Sequence, residues 1–152
     1  MVFAGLMAGM KAGLYYPSFP DMNGEVIPEV VLKSSEWNVE NLKSYDTNMF
    51  TPALVQVLHR STAYLLTISI LAFFFMARKM KFTTSFKVAN LMLITMLIIQ
   101  VLLGIFTIIN CKGDIPVGLG VLHQAGALVL LTIALLVNYQ FSNTNLKFIN
   151  KQ

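Results

Sequence analysis

The chain has two histidines, and they lie at matching positions of a repeated pattern. The octapeptide PALVQVLH, Pro52–His59, recurs in outline as PVGLGVLH, Pro116–His123. Each copy opens a long apolar run with a proline, which suits the first turn of a helix because its missing N–H has no partner to lose there. Each histidine then lies roughly 10 Å below the start of its helix, at about 1.5 Å per residue. If the two helices run in the same direction, both imidazoles lie at one depth and can bind one metal ion from opposite sides.

The elements that must position these histidines are membrane spans. The chain is 56% hydrophobic and only 12% charged, with a mean hydropathy of +0.67, whereas soluble domains have about 25% charged residues. Three segments, 52–76, 88–110 and 116–138, are each longer than the about 20 apolar residues that a membrane helix needs. Composition alone therefore indicates a membrane protein.

The segments outside these spans complete the expected architecture. Residues 1–14 look like the end of a transmembrane helix whose beginning is missing, because Lys11 interrupts an apolar stretch of about half a span. Residues 15–51 form an outer loop, with one short interfacial helix expected around Val39–Tyr45. Residues 52–152 hold the three spans with a basic inner loop and tail. We therefore expect an all-α membrane protein in which three full transmembrane helices and a truncated first helix form a four-helix bundle.

The charges predict how the spans are oriented. Basic residues without acids occupy the connection after the first full span and the tail: Arg78, Lys79, Lys81, Lys87, Lys147 and Lys151. Six of the seven acids lie in the outer loop, and Asp114 lies just before Pro116. By the positive-inside rule, the basic segments face the cytoplasm or matrix. The spans that begin at Pro52 and Pro116 then both run inward, so they are parallel. The net charge of +4 follows this sidedness and does not indicate nucleic-acid binding.

Two histidines are too few for most metal sites but sufficient for haem. Zinc sites use three or four protein ligands, and here the single cysteine, Cys111, lies outside the spans as an expected free thiol, while the spans contain no acid. Haem needs only axial ligands, because the porphyrin supplies the rest. Small residues on the same helix faces would leave space for a flat macrocycle: Thr62, Ala63, Gly126 and Ala127. The alternative is that the histidines only form hydrogen bonds between helices and the small residues only allow close packing.

Three polar residues near the outer ends of the spans are candidate cofactor contacts. Arg60 follows His59 directly and Lys11 lies at the same side, so either can pair with a haem propionate or extend its side chain to lipid headgroups. Gln56, one turn before His59, can hydrogen-bond a propionate or the outer loop. In the middle span, Gln100 and Asn90 are expected to form hydrogen bonds between helices and Gly104 to allow close packing.

The chain also resembles the C-terminal half of the haem A synthase family. Four stretches are similar to its fifth to eighth helices, in the correct order and over nearly the whole chain: AGLMAGMKAGLYYPSFPDMNGEVIP (4–28), VQVLHRSTAYLL (55–66), QVLLGIFTI (100–108) and VLHQAGALVLL (121–131). The resemblance implies an eight-helix protein of two similar halves, which oxidises a ring methyl of haem O to the formyl group of haem A for cytochrome oxidase. It also implies a haem b in this half, ligated by His59 and His123.

What the family has in its other half is not found here. The resemblance places the substrate haem O and a glutamate implicated in the chemistry in the N-terminal half, and no residue of this chain matches them. We therefore expect no catalytic residue here, and a chain that is inactive by itself. The resemblance implies the lipid bilayer, haem O synthase, cytochrome oxidase assembly proteins and a second copy of the chain as candidate partners. The expected location is a bacterial plasma membrane rather than a mitochondrial inner membrane.

Two other interpretations of the sequence stay open. A small membrane cytochrome b that only carries electrons would use the same pair of histidines. An assembly or scaffold subunit without a cofactor would use them for packing alone, and it would show no haem absorbance.

Overall fold

Three long helices form the main body of the protein. The computed structural model describes residues 2–80 and 82–149, with side chains up to residue 142. After a short first helix, α1 (Val2–Gly9), and two short helices α2 (Glu29–Leu32) and α3 (Val39–Lys43), the long helices are α4 (Phe50–Arg78), α5 (Thr84–Ile109) and α6 (Val117–Ile149). Two 3₁₀ turns, Ala12–Leu14 and Ser34–Glu36, complete the described elements. The described part of the chain contains no strand, only one isolated bridge between Met22 and Glu25.

All three long helices are long and apolar enough to cross a membrane. The candidate spans are Phe50–Arg78, Thr84–Ile109 and Val117–Ser142. This confirms the predicted all-α membrane fold. The helices extend beyond the predicted segments: α4 begins before residue 52, α5 begins before residue 88, and α6 continues past residue 138.

Local side chains explain where the long helices begin. The Asn48 side-chain oxygen accepts hydrogen bonds from the backbone N–H groups of Phe50 (3.0 Å) and Thr51 (3.3 Å), so α4 starts before its proline. Thr83 caps α5, because its hydroxyl oxygen accepts the backbone N–H of Phe86. Such caps satisfy N–H groups that have no partner within the helix. Pro116 lies immediately before α6, and its carbonyl accepts the N–H of Gly120 at 3.0 Å.

The long segment before α4 is mostly irregular, with short helical turns. The helix expected around Val39–Tyr45 is present as α3, and the Asn38 side chain caps it by accepting the N–H of Asn41 at 2.8 Å. The helix α2 and the two 3₁₀ turns were not expected from the sequence. The helix α1 ends at Gly9, and Lys11 follows it with a left-handed φ of 49°.

The apolar core lies toward the inner end of the long helices, the end that carries the basic connection between α4 and α5. The helices α5 and α6 pack closely together, and Phe86 at the start of α5 is 1% exposed. Its ring stacks on Phe82 at 4.0 Å between centroids and contacts Phe73 and Phe141. The rest of this cluster comes from all three long helices: Ala77, Ala89, Leu93, Leu97, Leu130, Ile133 and Val137.

A second, smaller cluster joins the segment before α4, residues 15–49, to α4 itself. This segment is called the outer segment below. Tyr16, Met22 and Val31 pack against Ala53 in the first turns of α4. The outer segment is therefore held beside the turns of α4 that lead to His59. Of the basic residues assigned to the inner side, Lys81, Lys151 and the side chain of Lys147 lie outside the described residues.

The inner cluster should depend on the Phe86 ring. Phe86→Ala removes the ring shared by Phe73, Phe82 and Phe141, and should lower the free energy of unfolding by about 3 kcal/mol, at the low end for a buried Phe because the bilayer is itself apolar. Phe75→Ala, at a position that is 58% exposed, is the control and should change little. Thermal unfolding in detergent measures both, and equal stability of the two variants would contradict this role.

Candidate metal centre

The two histidines meet between α4 and α6. His59 lies in the third turn of α4 and His123 in the second turn of α6. Their ring centroids are 6.4 Å apart and their planes are nearly perpendicular, at 81°. Both residues are half-buried. Few backbone contacts join α4 to α6 in the described residues, so the two rings reach toward each other across a space between the helices.

The middle helix α5 positions the His123 ring. The Gln100 side-chain amide nitrogen donates to the backbone carbonyl of His123 at 2.8 Å and lies 3.1 Å from the ring nitrogen Nδ1. Gly104, one turn further along α5, faces the same ring, since a Cβ built on Gly104 would lie 2.9 Å from His123 Cε1. The predicted interhelical role of Gln100 is confirmed. Gly104 allows close packing as expected, because its missing side chain leaves the space that the His123 imidazole occupies.

The His59 ring has fewer contacts. Within the described part of the chain it forms no hydrogen bond, and its aromatic neighbour is His123. Of the small residues expected to leave space near the histidines, Thr62 donates to the Leu58 carbonyl of its own helix. Gly126 instead leaves space for a side chain of α5, because a Cβ at Gly126 would clash with the Gln100 side-chain oxygen. For Gly126 the close-packing alternative therefore accounts for the missing side chain.

Arg60 binds the outer segment through its guanidinium group. Nη1 donates to the carbonyls of Pro20 (3.2 Å) and Asp21 (2.7 Å), and Nη2 donates to those of Tyr16 (3.4 Å) and Ser18 (2.7 Å). A planar guanidinium with several fixed N–H donors suits such a set of acceptors. Arg60 thus ties residues 16–21 to α4 beside His59. Its predicted contact with a propionate stays a prediction.

Gln56 makes the same connection one turn earlier. Its amide nitrogen donates to the Tyr16 carbonyl at 2.8 Å, and the residue is fully buried. Of the two contacts considered for Gln56, the structure contains the one to the outer loop. The Gln56 side-chain oxygen is buried without a hydrogen-bond partner among the described residues, so its amide still has a free acceptor.

The other sequence candidates lie further from the two rings or lack the expected contact. Lys11 is exposed and lines an open cavity of about 460 Å³ together with Tyr15, Tyr45 and other residues; its propionate contact stays a prediction. Asn90 was expected to hydrogen-bond another helix, but its buried side-chain oxygen has no partner in the described chain. That expectation is wrong for the described residues.

Cys111 is buried just after the end of α5, facing the 3₁₀ turn Ala12–Leu14. Its thiol donates to the Thr107 carbonyl at 3.2 Å, and it faces Gly13, where a Cβ would lie 3.0 Å from Sγ. Burial raises the pKa of the Cys111 thiol, so it stays protonated at neutral pH, whereas a metal ligand would be a thiolate. The free cysteine predicted from the sequence is therefore a packed side chain.

Asp21, whose carbonyl accepts a hydrogen bond from Arg60, also brings a negatively charged carboxylate to this region. The hydrogen bond from the Ser18 hydroxyl to Asp21, 2.6 Å long, lowers the pKa of the Asp21 carboxyl, and the Arg60 charge lowers it further. Asp21 is therefore ionised at neutral pH. The guanidinium of Arg60 lies near this carboxylate as well as near the carbonyls that it binds.

Two facing imidazoles offer a pair of nitrogen ligands and no more. The described residues contain no group of three or more His, Cys, Asp or Glu side chains that could hold a metal ion. Metal–imidazole bonds of about 2 Å on each side, plus the two ring radii, place ring centroids about 6 Å apart. The observed 6.4 Å is compatible with two imidazole ligands on one ion, and haem is a group that needs only axial ligands from the protein.

A family sequence model, described as cytochrome oxidase assembly protein, matches residues 1–135. This chain belongs to the COX15-CtaA family. The match covers every element described above except the last part of α6.

Several relatives of this COX15-CtaA chain are named heme A synthase. A heme A synthase of Nitrosospira multiformis is 37% identical over 136 residues, which are 90% of this chain and 35% of the relative. One of Nitrosomonas eutropha is 38% identical over 133 residues, 88% and 35% of the two chains. One of Pelagibacter ubique is 33% identical over 148 residues, 94% and 39%. The chain thus spans about a third of the length of these relatives. No solved structure matches it at a significant level.

Residues 16–21 should depend on Arg60 for their position in this COX15-CtaA chain. Arg60→Ala removes charged donors to four carbonyls and should lower the free energy of local opening by about 2 kcal/mol, so that amides 16–23 exchange faster with deuterium. Arg78→Ala is the control, because the Arg78 guanidinium packs on Phe74 at the other end of α4. Equal exchange of residues 16–23 in the two variants would show that Arg60 does not hold the segment.

Proposed function

We propose that this chain is the haem b-binding half of a haem A synthase, with His59 and His123 as the two axial ligands. The observation that carries the proposal is the pair of facing imidazoles, 6.4 Å apart and nearly perpendicular, on two different membrane helices. Membership of a cytochrome oxidase assembly family and the similarity to proteins named heme A synthase support it. The whole protein would oxidise a ring methyl of haem O to the formyl group of haem A.

The residues around the pair have separate roles in this proposal. When bound, haem b supplies one-electron oxidation and reduction. His59 and His123 hold its iron, and Gly104 leaves room for the His123 ring. Arg60 and Gln56 hold the outer segment against the start of α4. Arg60 and Lys11 are also proposed to contact the propionates.

The proposal assigns no catalytic residue to this chain. The chain covers about a third of the relatives' length, and the resemblance places the substrate haem and the glutamate elsewhere. We therefore propose that the chain by itself binds haem b but does not oxidise haem O. The proposed location is a bacterial plasma membrane, in agreement with the bacterial relatives, and the proposed partners are haem O synthase and cytochrome oxidase assembly proteins.

Replacing either histidine tests the axial assignment. In a haem-supplied membrane preparation, His59→Ala and His123→Ala should each abolish the low-spin b-type spectrum, because each removes one of two iron ligands. The exposed neighbour Gln124→Ala is the control and should keep the spectrum. A low-spin signal that survives in either histidine variant would refute the assignment.

Gly104 offers a subtler test of the same site. Gly104→Ala puts a Cβ 2.9 Å from His123 Cε1 and should push the ring out of place, reducing haem retention at least tenfold. Gly118→Ala is the matched control, because a Cβ there meets nothing within 4 Å. Thermal unfolding in detergent is measured on both variants, because the close contact at Gly104 can also destabilise the fold, and lower retention counts only where the variant stays folded. Equal haem retention in the two variants would remove Gly104 from the site.

A further inference from the structure

An open cavity of about 460 Å³ lies between the residues that follow α1 and the turn that follows α3. Its volume is within the range of small-molecule sites, about 300–1,000 Å³. Its lining does not include His59 or His123, so it is separate from the candidate metal centre. Met10 and Leu14 contribute apolar surface, and the polar lining residues are Lys11, Tyr15, Tyr45 and Asp46.

The two charged groups of this cavity have opposite sign but do not pair with each other. Neither Lys11 nor Asp46 takes part in the ion pair found among the described residues. The hydroxyls of Tyr15 and Tyr45 also have no hydrogen-bond partner in the described part of the chain. One cation, one anion and two phenol hydroxyls around the same cavity are therefore available to a single ligand.

The backbone at Lys11 gives no local reason for a lysine at this position. Its φ of 49° and ψ of 33° are left-handed, a conformation that is uncommon for residues other than glycine and that glycine would adopt more easily. The next residue, Ala12, is fully buried, which fixes the chain beside the cavity while the Lys11 side chain stays exposed. The side chain of Lys11 is thus free to bind a ligand in the cavity.

The cavity lies at the level where α4 begins to cross the membrane. Tyr15 packs against the cluster that includes Ala53 in the first turns of α4, and the 3₁₀ turn Ala12–Leu14 also contacts α4. The candidate span of α4 begins at Phe50, so these turns mark a membrane boundary. Tyrosine is enriched at this boundary, and lysine extends its ammonium group to it. Lipid headgroups are therefore the ligands available at this level.

We propose that this cavity binds the headgroup of a zwitterionic phospholipid, phosphatidylethanolamine, with Lys11 on its phosphate and Asp46 on its ammonium group. The hydroxyls of Tyr15 and Tyr45 can donate to the phosphate, and their ring faces attract the ammonium group. A haem propionate would use Lys11 but not Asp46, so Asp46 separates the two ligands. The apolar lining suits the glycerol and the first methylene groups of the acyl chains, which favours the lipid over the same headgroup free in water. This inference does not rest on the proposed haem b site.

Native mass spectrometry of retained lipids tests this site. The full chain, in nanodiscs with equal amounts of phosphatidylethanolamine and phosphatidylglycerol, should retain the first in preference, because phosphatidylglycerol has the phosphate but lacks the ammonium group. Asp46→Asn should lower the ratio of the two retained lipids about fivefold, since it removes an attraction for one and a repulsion for the other, each of the size of an exposed ion pair. Lys11→Gln should lower the retention of both lipids alike, because both have the phosphate.

The matched controls are Lys112→Gln and Asp114→Asn, because both residues are exposed in the turn between α5 and α6 and do not line the cavity. Neither control should change the retained lipids. An equal loss of the preference in Asp114→Asn and Asp46→Asn would mean that only the total charge matters, and this would overturn the site, as would a wild type that retains both lipids equally.

A water-soluble competitor separates the lipid from its free headgroup. Glycerophosphoethanolamine has the same phosphate and ammonium groups without acyl chains, and it should displace little of the retained phosphatidylethanolamine. Complete displacement at an equal concentration would overturn the assignment to a lipid. None of these readouts involves haem, so the lipid site and the proposed function can fail independently.

Discussion

A polar side chain within the bilayer is stabilised when it finds a partner inside the protein, and this constraint organises the outer half of the molecule. Water is not available at that depth, so an unpaired donor or acceptor costs free energy. Arg60 and Gln56 meet the constraint by binding backbone carbonyls of the outer segment. Gln100 meets it through His123 on the next helix. Each of these hydrogen bonds connects two elements and fixes their relative position more specifically than apolar packing alone. Together they hold the residues around the two imidazoles in place.

The inner and outer ends of the helices are held by different interactions. At the inner end, aromatic rings and aliphatic side chains pack in an apolar cluster around Phe86. Shape complementarity and dispersion stabilise this cluster. At the outer end, α4 is buried only in its first turns, against the outer segment. Between Gln56 and Ala77 no residue of α4 is fully buried within the described protein. The histidines lie outside this inner cluster, on α4 and α6, between which few backbone contacts are found in the described residues.

The two histidines have unequal support from the rest of the protein, and the difference has a physical cause. The His123 ring touches α5 at Gly104 and at Gln100, so its orientation is set by a neighbouring helix. His59 is held mainly through its own helix, which Arg60 and Gln56 anchor to the outer segment. One histidine is thus fixed by direct contact and the other by the position of α4.

The sequence by itself determined the three spans, the all-α class and the meeting of the two histidines. Span length, apolar content and the repeated Pro-to-His spacing are local properties, and two parallel helices with equal spacing bring their histidines together. Only the tertiary structure showed that Gly104 makes room for His123, that Gly126 makes room for Gln100, and that Arg60 donates to four carbonyls. The reason is that such contacts depend on the rotation and separation of neighbouring helices. Backbone carbonyls and the absence of a side chain also leave no chemical signature in a sequence, so these partners appear only when the chain is folded.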